Sequence, residues 1–292
     1  MKQWKAAVFG TGFMGRVHTE AIRRLGNVEV IAIASLDVSS QRRLAEQFKV
    51  EQVESDYLKV LANPSVDAVH ICAPNNQHFP MAMAAMEAGK HVVCEKPLAL
   101  TVEEATALVA AADKLGRRNC LNHNLRYYPL VQQIRQLRLT GELGDILVVQ
   151  GTYSQDWLLY DTDYNWRVEA GEGGELRCMA DIGSHWFDMA EHVSGQRVSS
   201  LCADLHTFHK TRKRPKSAVE TFAGKMLRPD EYEEVPITTD DYGSAVFHMA
   251  GGAHGAMTAS QVSAGRKNRL SIEVFGTKGA AAWTRKSPTS SG

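Results

Sequence analysis

Three groups of residues in this chain have the types and spacings that chemistry needs. Gly10, Gly12 and Gly15 follow the first apolar burst in a GxGxxG spacing and precede a helical pattern that begins with Phe13 and Met14. Such a turn cradles a dinucleotide. The first glycine permits the tight turn, the second lets a pyrophosphate approach the backbone without a Cβ in the way, and the third lets helix pack closely on strand. The open amides of the helix N-terminus then face the phosphates. Lys96 stands in Cys94-Glu95-Lys96-Pro97, directly after another apolar burst, and Asp181 and His185 lie four residues apart, on one helical face. A carboxylate, an imidazole and a lysine together can manage the proton that leaves a hydroxyl as hydride leaves its carbon. In this reading His185 transfers the proton, Asp181 orients substrate or imidazole, Lys96 stabilises the alkoxide, and C4 of a nicotinamide takes the hydride. Blander readings compete: Lys96 as a surface lysine before a proline turn, Asp181 as a helix cap, or a metal cluster of His185, Asp188 and His192. The metal reading is weak because the two histidines are seven apart and no paired-histidine zinc motif occurs, so no metal is expected.

The elements around these residues alternate. Apolar bursts at AAVFG, VEVIAIAS, AVHICAP and HVVCEK are separated by helical patterns reaching Leu25, over Val38–Phe48, over 79–88 and over Val102–Leu115, with a last strand near 119–122. That series predicts a parallel sheet covered on both faces. Its ligands belong beyond the carboxyl ends of the strands, where Ala73, Pro74, Asn75, His78, Glu95 and Lys96 fall. The first domain is expected to span 1–124. After a helix over 129–140 the pattern changes to longer alternating segments, DILVVQGTY, YGSAVFHMA and GAMTASQVS, which read as antiparallel strands of an α+β domain over 125–292.

A carboxylate that reads the cofactor ribose is expected about 20 residues after the last glycine. Ser35 occupies that place and Asp37 follows, with Arg42 and Arg43 nearby. Serine does not repel a 2′-phosphate, so NAD and NADP both stay open, and Ser35 and Asp37 read equally well as caps of the next helix.

Composition narrows the partners. Lys plus Arg and Asp plus Glu both number 33, leaving no net charge to favour nucleic acid or an anionic membrane. The basic run KTRKRPK at 210–216 lies near the acidic DEYEE at 230–234, and a solvated loop is the expectation over an anion patch. No apolar run approaches the roughly 20 residues of a membrane span, and the N-terminus enters a strand instead of a signal peptide, so a cytoplasmic protein is expected. The five cysteines are widely spaced and read as reduced thiols. Cys94 has no base near it in sequence that would make it a nucleophile.

Taken in order, Gly10-Thr11-Gly12-Phe13-Met14-Gly15, Pro74-Asn75 with His78, Glu95-Lys96-Pro97, Asn124-Leu125-Arg126-Tyr127, Asp181-Ile182-Gly183-Ser184-His185 and Phe275-Gly276-Thr277-Lys278-Gly279 resemble the glucose-fructose oxidoreductase and inositol dehydrogenase family (Gfo/Idh/MocA) over nearly the whole chain. The resemblance implies an α/β chain: an N-terminal Rossmann doubly wound parallel sheet, then a C-terminal domain on a large, mostly antiparallel sheet that often mediates homodimer or homotetramer contacts. It also implies that Lys96, Asp181 and His185 are the catalytic set, that Asn124 joins the cofactor-binding residues, and that the substrate is a sugar, cyclitol or related polyol. The segment QDWLLYDTDYNWR supplies Trp157, Tyr160, Asp163, Trp166 and Arg167, types that stack on sugar faces and bond hydroxyls; Arg126 and Tyr127 are further substrate candidates. The departure is at the C-terminus. After Trp283 the chain ends in TRKSPTSSG where similar proteins continue with further strands and a closing helix, so a truncated second domain is expected. Two rival readings keep the fold: a redox-neutral glycosidase or epimerase with tightly held NAD, and a non-enzymatic cofactor-binding regulator. An amino-acid or imine reductase would need a carboxylate clamp that the sequence does not display.

Overall fold

The computed structural model describes residues 3–217 and 226–285. The chain divides into two compact units, Met1–Asn122 and His123–Gly292. The residues 286–292, on which the expectation of a truncated end partly rests, lie outside the described ones.

The first unit runs β1 Trp4–Phe9, α1 Phe13–Arg24, β2 Val28–Ala34, α2 Val38–Phe48, β3 Gln52–Glu54, α3 Tyr57–Leu61, β4 Ala68–Ile71, α4 His78–Glu87, β5 His91–Cys94, α5 Val102–Leu115 and β6 Asn119–Leu121. The strands form one parallel sheet in the order β3-β2-β1-β4-β5-β6. Strand order reverses between β1 and β4, which places the ligand crevice beyond the carboxyl ends of those two strands. The continuous apolar runs of the sequence have a packing reason. Ala6 and Val8 face Ile22 and Leu44 on one side of the sheet, while Ala7 and Phe9 share the other side with Ala82, Ala85 and Met86. The helices begin where side chains supply caps: Asp37, Asp56 and Thr101 each accept backbone N–H bonds at the starts of α2, α3 and α5.

The second unit contains α6 Pro129–Leu139, β7 Ile146–Ser154, α7 Ala170–Gly173, α8 Ser184–Ser194, β8 Val198–His206, β9 Thr211–Pro215, β10 Tyr232–Pro236, β11 Tyr242–Met249, β12 His254–Ser260, β13 Arg269–Gly276 and β14 Ala280–Thr284. Its large sheet has the order β14-β13-β7-β12-β11-β8. The sheet is mixed: β7 and β12 pair in parallel and the other neighbours are antiparallel. The mostly antiparallel sheet read from the alternating segments is thus present, with one parallel pair that alternation does not report, since it marks a half-buried strand and not the direction of its neighbour. Trp186, Met189 and Phe247 fill the core between sheet and helices, and the indole Nε1 donates to Ser271 O at 2.9 Å. The other face carries Gln150, Thr152, Asp204 and Glu273 beside exposed Val246 and Phe275.

The basic run is a strand and not a solvated loop. Segment β9 pairs antiparallel with β10, so Arg214 meets Glu233 at 2.8 Å and Lys213 meets Asp161 at 2.8 Å. Arg212 is fully buried and forms an ion cluster with Asp241 and Arg177, both also without side-chain exposure. Such charges survive burial only when paired and hydrogen-bonded. No helix among the described residues is long and apolar enough to cross a membrane.

Candidate active site

The glycine turn joins β1 to α1. Gly10 has a left-handed φ of +89°, and a Cβ there would meet Cys72 O at 2.5 Å. A Cβ on Gly15 would lie 2.0 Å from Gly10 O, so helix and turn close on each other only without a side chain. Gly12 differs: an added Cβ would meet nothing within 4 Å, and as the N-cap it offers no side chain to the amides of α1. This open cradle fits a dinucleotide pyrophosphate. Phe13 is exposed and Met14 half-buried beside it. Beyond β2, Ser35 Oγ accepts from Thr11 Oγ1 at 2.9 Å, while Asp37 Oδ1 accepts from Ser39 N and Ser40 N. Those bonds, foremost that from Ser40, hold the Asp37 carboxyl below its ordinary range. Asp37 is therefore the cap of α2, and no carboxylate stands at the Ser35 position.

The turns after β4 and β5 are stapled together. His78 is buried, with Nε2 3.0 Å from Ala73 O and Nδ1 against Pro97 O, so it ties the turn Ala73-Pro74-Asn75 to the Lys96-Pro97 segment, whose peptide is cis. Glu95 turns inward. Its Oε1 meets His18 Nε2 at 2.9 Å and accepts from Asn122 Nδ2, and His18 Nδ1 lies 3.0 Å from His70 Nδ1. Burial pushes the Glu95 carboxyl up, but the bonds from His18 and Asn122 and the charges of His18 and Lys96 prevail and hold it low. Burial, with the charge of His18, lowers His70 to about 4. Lys96, half-buried, follows this anchored carboxylate at the carboxyl end of β5. Burial and the neighbouring Glu95 push the Cys94 thiol well up, leaving it unreactive.

In the second unit Asp181 lies in a π-helical turn, Met179–Gly183, that leads into α8, where His185 is the second residue. Single π turns recur where a helix must aim side chains at a site. Gln261 Nε2 donates to Asp181 Oδ2 at 2.8 Å, and Gln261 Oε1 accepts from the buried Arg177 at 3.1 Å. Arg167 Nε stands 3.8 Å from Asp181 Oδ1, and its guanidinium lies 4.3 Å from the Trp166 ring centre and 6.0 Å from that of Trp157. Asp181, Arg167, Trp166 and Trp157 are thus brought together. Asp163 is not with them: it is buried and accepts from Tyr160 N at 2.8 Å, holding the loop. Arg126 forks onto Asp188, with Nε to Oδ2 at 2.9 Å, and His192 Nε2 lies 3.0 Å from Gln132 Nε2, so neither Asp188 nor His192 is grouped with His185. Tyr127 and Asn124 are exposed in the short turn Asn124–Tyr127.

Comparison with known proteins follows the same division. Residues 4–123 match a model described as an oxidoreductase family with an NAD-binding Rossmann fold, and residues 131–282 match a GFO/IDH/MocA C-terminal domain. The chain belongs to the Gfo/Idh/MocA family. It is 31% identical over 290 residues to a levoglucosan dehydrogenase of Pseudarthrobacter phenanthrenivorans, spanning 96% of this chain and 73% of that one. It is 27% identical over 276 residues to a myo-inositol 2-dehydrogenase of Thermotoga maritima, spanning 94% and 73%. A solved levoglucosan dehydrogenase in complex with NADH and L-sorbose superposes with a TM-score of 0.88 at 29% identity, over 97% of this chain and 74% of that one. As a Gfo/Idh/MocA protein the chain is an oxidoreductase, and its first unit is an NAD-binding Rossmann domain. Sequence reasoning missed four residues that support this family's motifs here: His18 and Asn122 behind Glu95, and Gln261 and Arg177 behind Asp181. None had a local signal, because each partner is distant in sequence, as with the separation of 80 residues between Gln261 and Asp181.

Proposed function

We propose that the chain oxidises a secondary or anomeric hydroxyl of a sugar, cyclitol or related polyol, or reduces the matching carbonyl, with NAD or NADP. The observation that carries this is Asp181, in the turn that leads into the helix bearing His185, fixed by Gln261 and set against Arg167, Trp157 and Trp166. Indole faces stack on sugar rings, and a guanidinium and carboxylate side by side bond adjacent hydroxyls.

Gly12 and the first amides of α1 would hold the pyrophosphate, and the bound nicotinamide supplies the hydride acceptor or donor. Lys96 stabilises the developing alkoxide, His185 takes the hydroxyl proton, and Asp181 fixes the substrate's orientation. Trp157, Trp166 and Arg167 bind substrate, whereas Arg126, forked onto Asp188, acts by holding the turn on α8. Ser35 carries no charge to repel a 2′-phosphate, so both cofactors belong in the assay. A homodimer or homotetramer built through the open face of the second sheet is part of the reading, supported by exposed Val246 and Phe275; light scattering that finds a monomer at micromolar concentration would overturn that part. The cytosol is the compartment proposed, supported by five cysteines that stand as free thiols.

The test is reduced-nicotinamide absorbance across a panel of sugars, cyclitols and keto-sugars with both cofactors. Turnover of a polyol is the expected result. Silence from a protein that binds NADH would sink the dehydrogenase reading in favour of a redox-neutral or regulatory one.

A further inference from the structure

His123 opens the second unit, and its ring meets His185 edge-on. The two Nδ1 atoms are 3.4 Å apart, the ring centres 5.2 Å apart, and the planes cross at 85°. The contact is built from both sides. Three residues after His123, Arg126 forks onto Asp188, itself three residues after His185, so one bidentate ion pair clamps the turn Asn124–Tyr127 to α8. Leu125, buried in the core, anchors the same turn.

Two imidazole nitrogens in contact share one hydrogen: one ring donates and the other accepts. A proton-transfer residue that begins the oxidation as a base must turn a nitrogen lone pair towards the substrate. We propose that His123 is a positioning residue for His185, accepting the hydrogen bond from His185 Nδ1–H and thereby selecting Nε2 as the nitrogen that takes the substrate proton. The proton balance is closed. The hydroxyl proton moves to His185 Nε2, the Nδ1–H bond to His123 persists in the imidazolium, and His123 stays neutral with its own hydrogen on Nε2. The device orients a base as the aspartate of a Ser-His-Asp triad does, with a neutral ring in place of a carboxylate, and so adds no negative charge beside the developing alkoxide. This rests on the proposed role of His185 as the proton-transfer group.

The test uses the full chain labelled with 15N-histidine, without substrate, about two pH units above the ordinary imidazole pKa so that the rings are neutral. The His185 signals are assigned by their loss in His185→Gln. The expected spectrum shows His185 protonated at Nδ1 and bare at Nε2. His123→Phe should move His185 to the Nε2–H form. His123→Asn, whose side-chain oxygen can take the place of the accepting Nδ1, should restore the Nδ1–H form. A wild-type His185 in the Nε2–H form overturns the proposal without recourse to any variant, and so does a tautomer that ignores His123→Phe in a folded protein. The spectra are independent of turnover. The expected tautomer in a protein that oxidises no polyol would support the pair while overturning the reading of the site, and turnover with the wrong tautomer would overturn the pair alone.

Discussion

At the scale of single residues, the first unit sets a buried carboxylate, Glu95, directly before Lys96. Glu95 is fixed by His18 and Asn122, and the residue that follows it, Lys96, inherits that fixed backbone. Replacing Lys96 with Met is expected to lower kcat by roughly 10²–10⁴-fold, the range typical of a lost proton-transfer or charge-stabilising group, while NADH still binds. His70 gives a pH signature. Its folded value of about 4 lies below the ordinary 6.5, so the unfolded chain binds the proton first as pH falls. Its contribution to stability is therefore complete above about pH 6.5 and is lost progressively towards about pH 4. Denaturant midpoints measured across that window should fall less steeply in His70→Asn than in the wild type. An unchanged slope would show that His70 titrates normally in the folded protein.

At the scale of elements, the glycine turn separates two kinds of requirement. Gly15→Ala forces a Cβ to within 2.0 Å of Gly10 O, so both Tm and NADH affinity should drop. Gly12→Ala meets no protein atom and should fold with an unchanged Tm yet lose affinity for the dinucleotide. Thermal melts with and without NADH check both, and equal behaviour of the two variants would refute the cradle. These glycines were legible in the sequence because a phosphate-binding turn dictates their spacing. The Rossmann series was legible for a related reason: strands buried on both faces leave continuous apolar runs. Elements β3 and α3 were not, since three and five residues are too few to display a period. Spacing alone left Asp37 open as ribose reader or as cap; the serines that follow it donate to its Oδ1, so it caps α2. Nor did alternation reveal that β7 and β12 run parallel. Asp181 and His185 could be found from their spacing, but Gln261, Arg177 and His123 could not, because their roles arise only when distant segments fold together.

At the scale of the whole molecule, the second unit is organised around charge as much as around Trp186. Arg177 donates its backbone N–H to the Asp240 carboxylate and its guanidinium to Asp241 and Gln261, and Gln261 in turn holds Asp181, so a stability network and the site share one residue. Asp241→Asn leaves two buried guanidinium groups without their anion and should destabilise the chain by about 3–5 kcal/mol, measured by denaturant unfolding. A loss below about 1 kcal/mol would mean that water or another group replaces the carboxylate.

In the proposed reaction His185 carries the substrate proton while the first unit holds the cofactor. The most direct measurement compares kcat for a reactive polyol with the Kd for NADH in His185→Ala and in the wild type. With His185 as the proton-transfer group, kcat falls by roughly 10²–10⁴-fold with NADH affinity unchanged. Equal losses in turnover and in NADH affinity would contradict it.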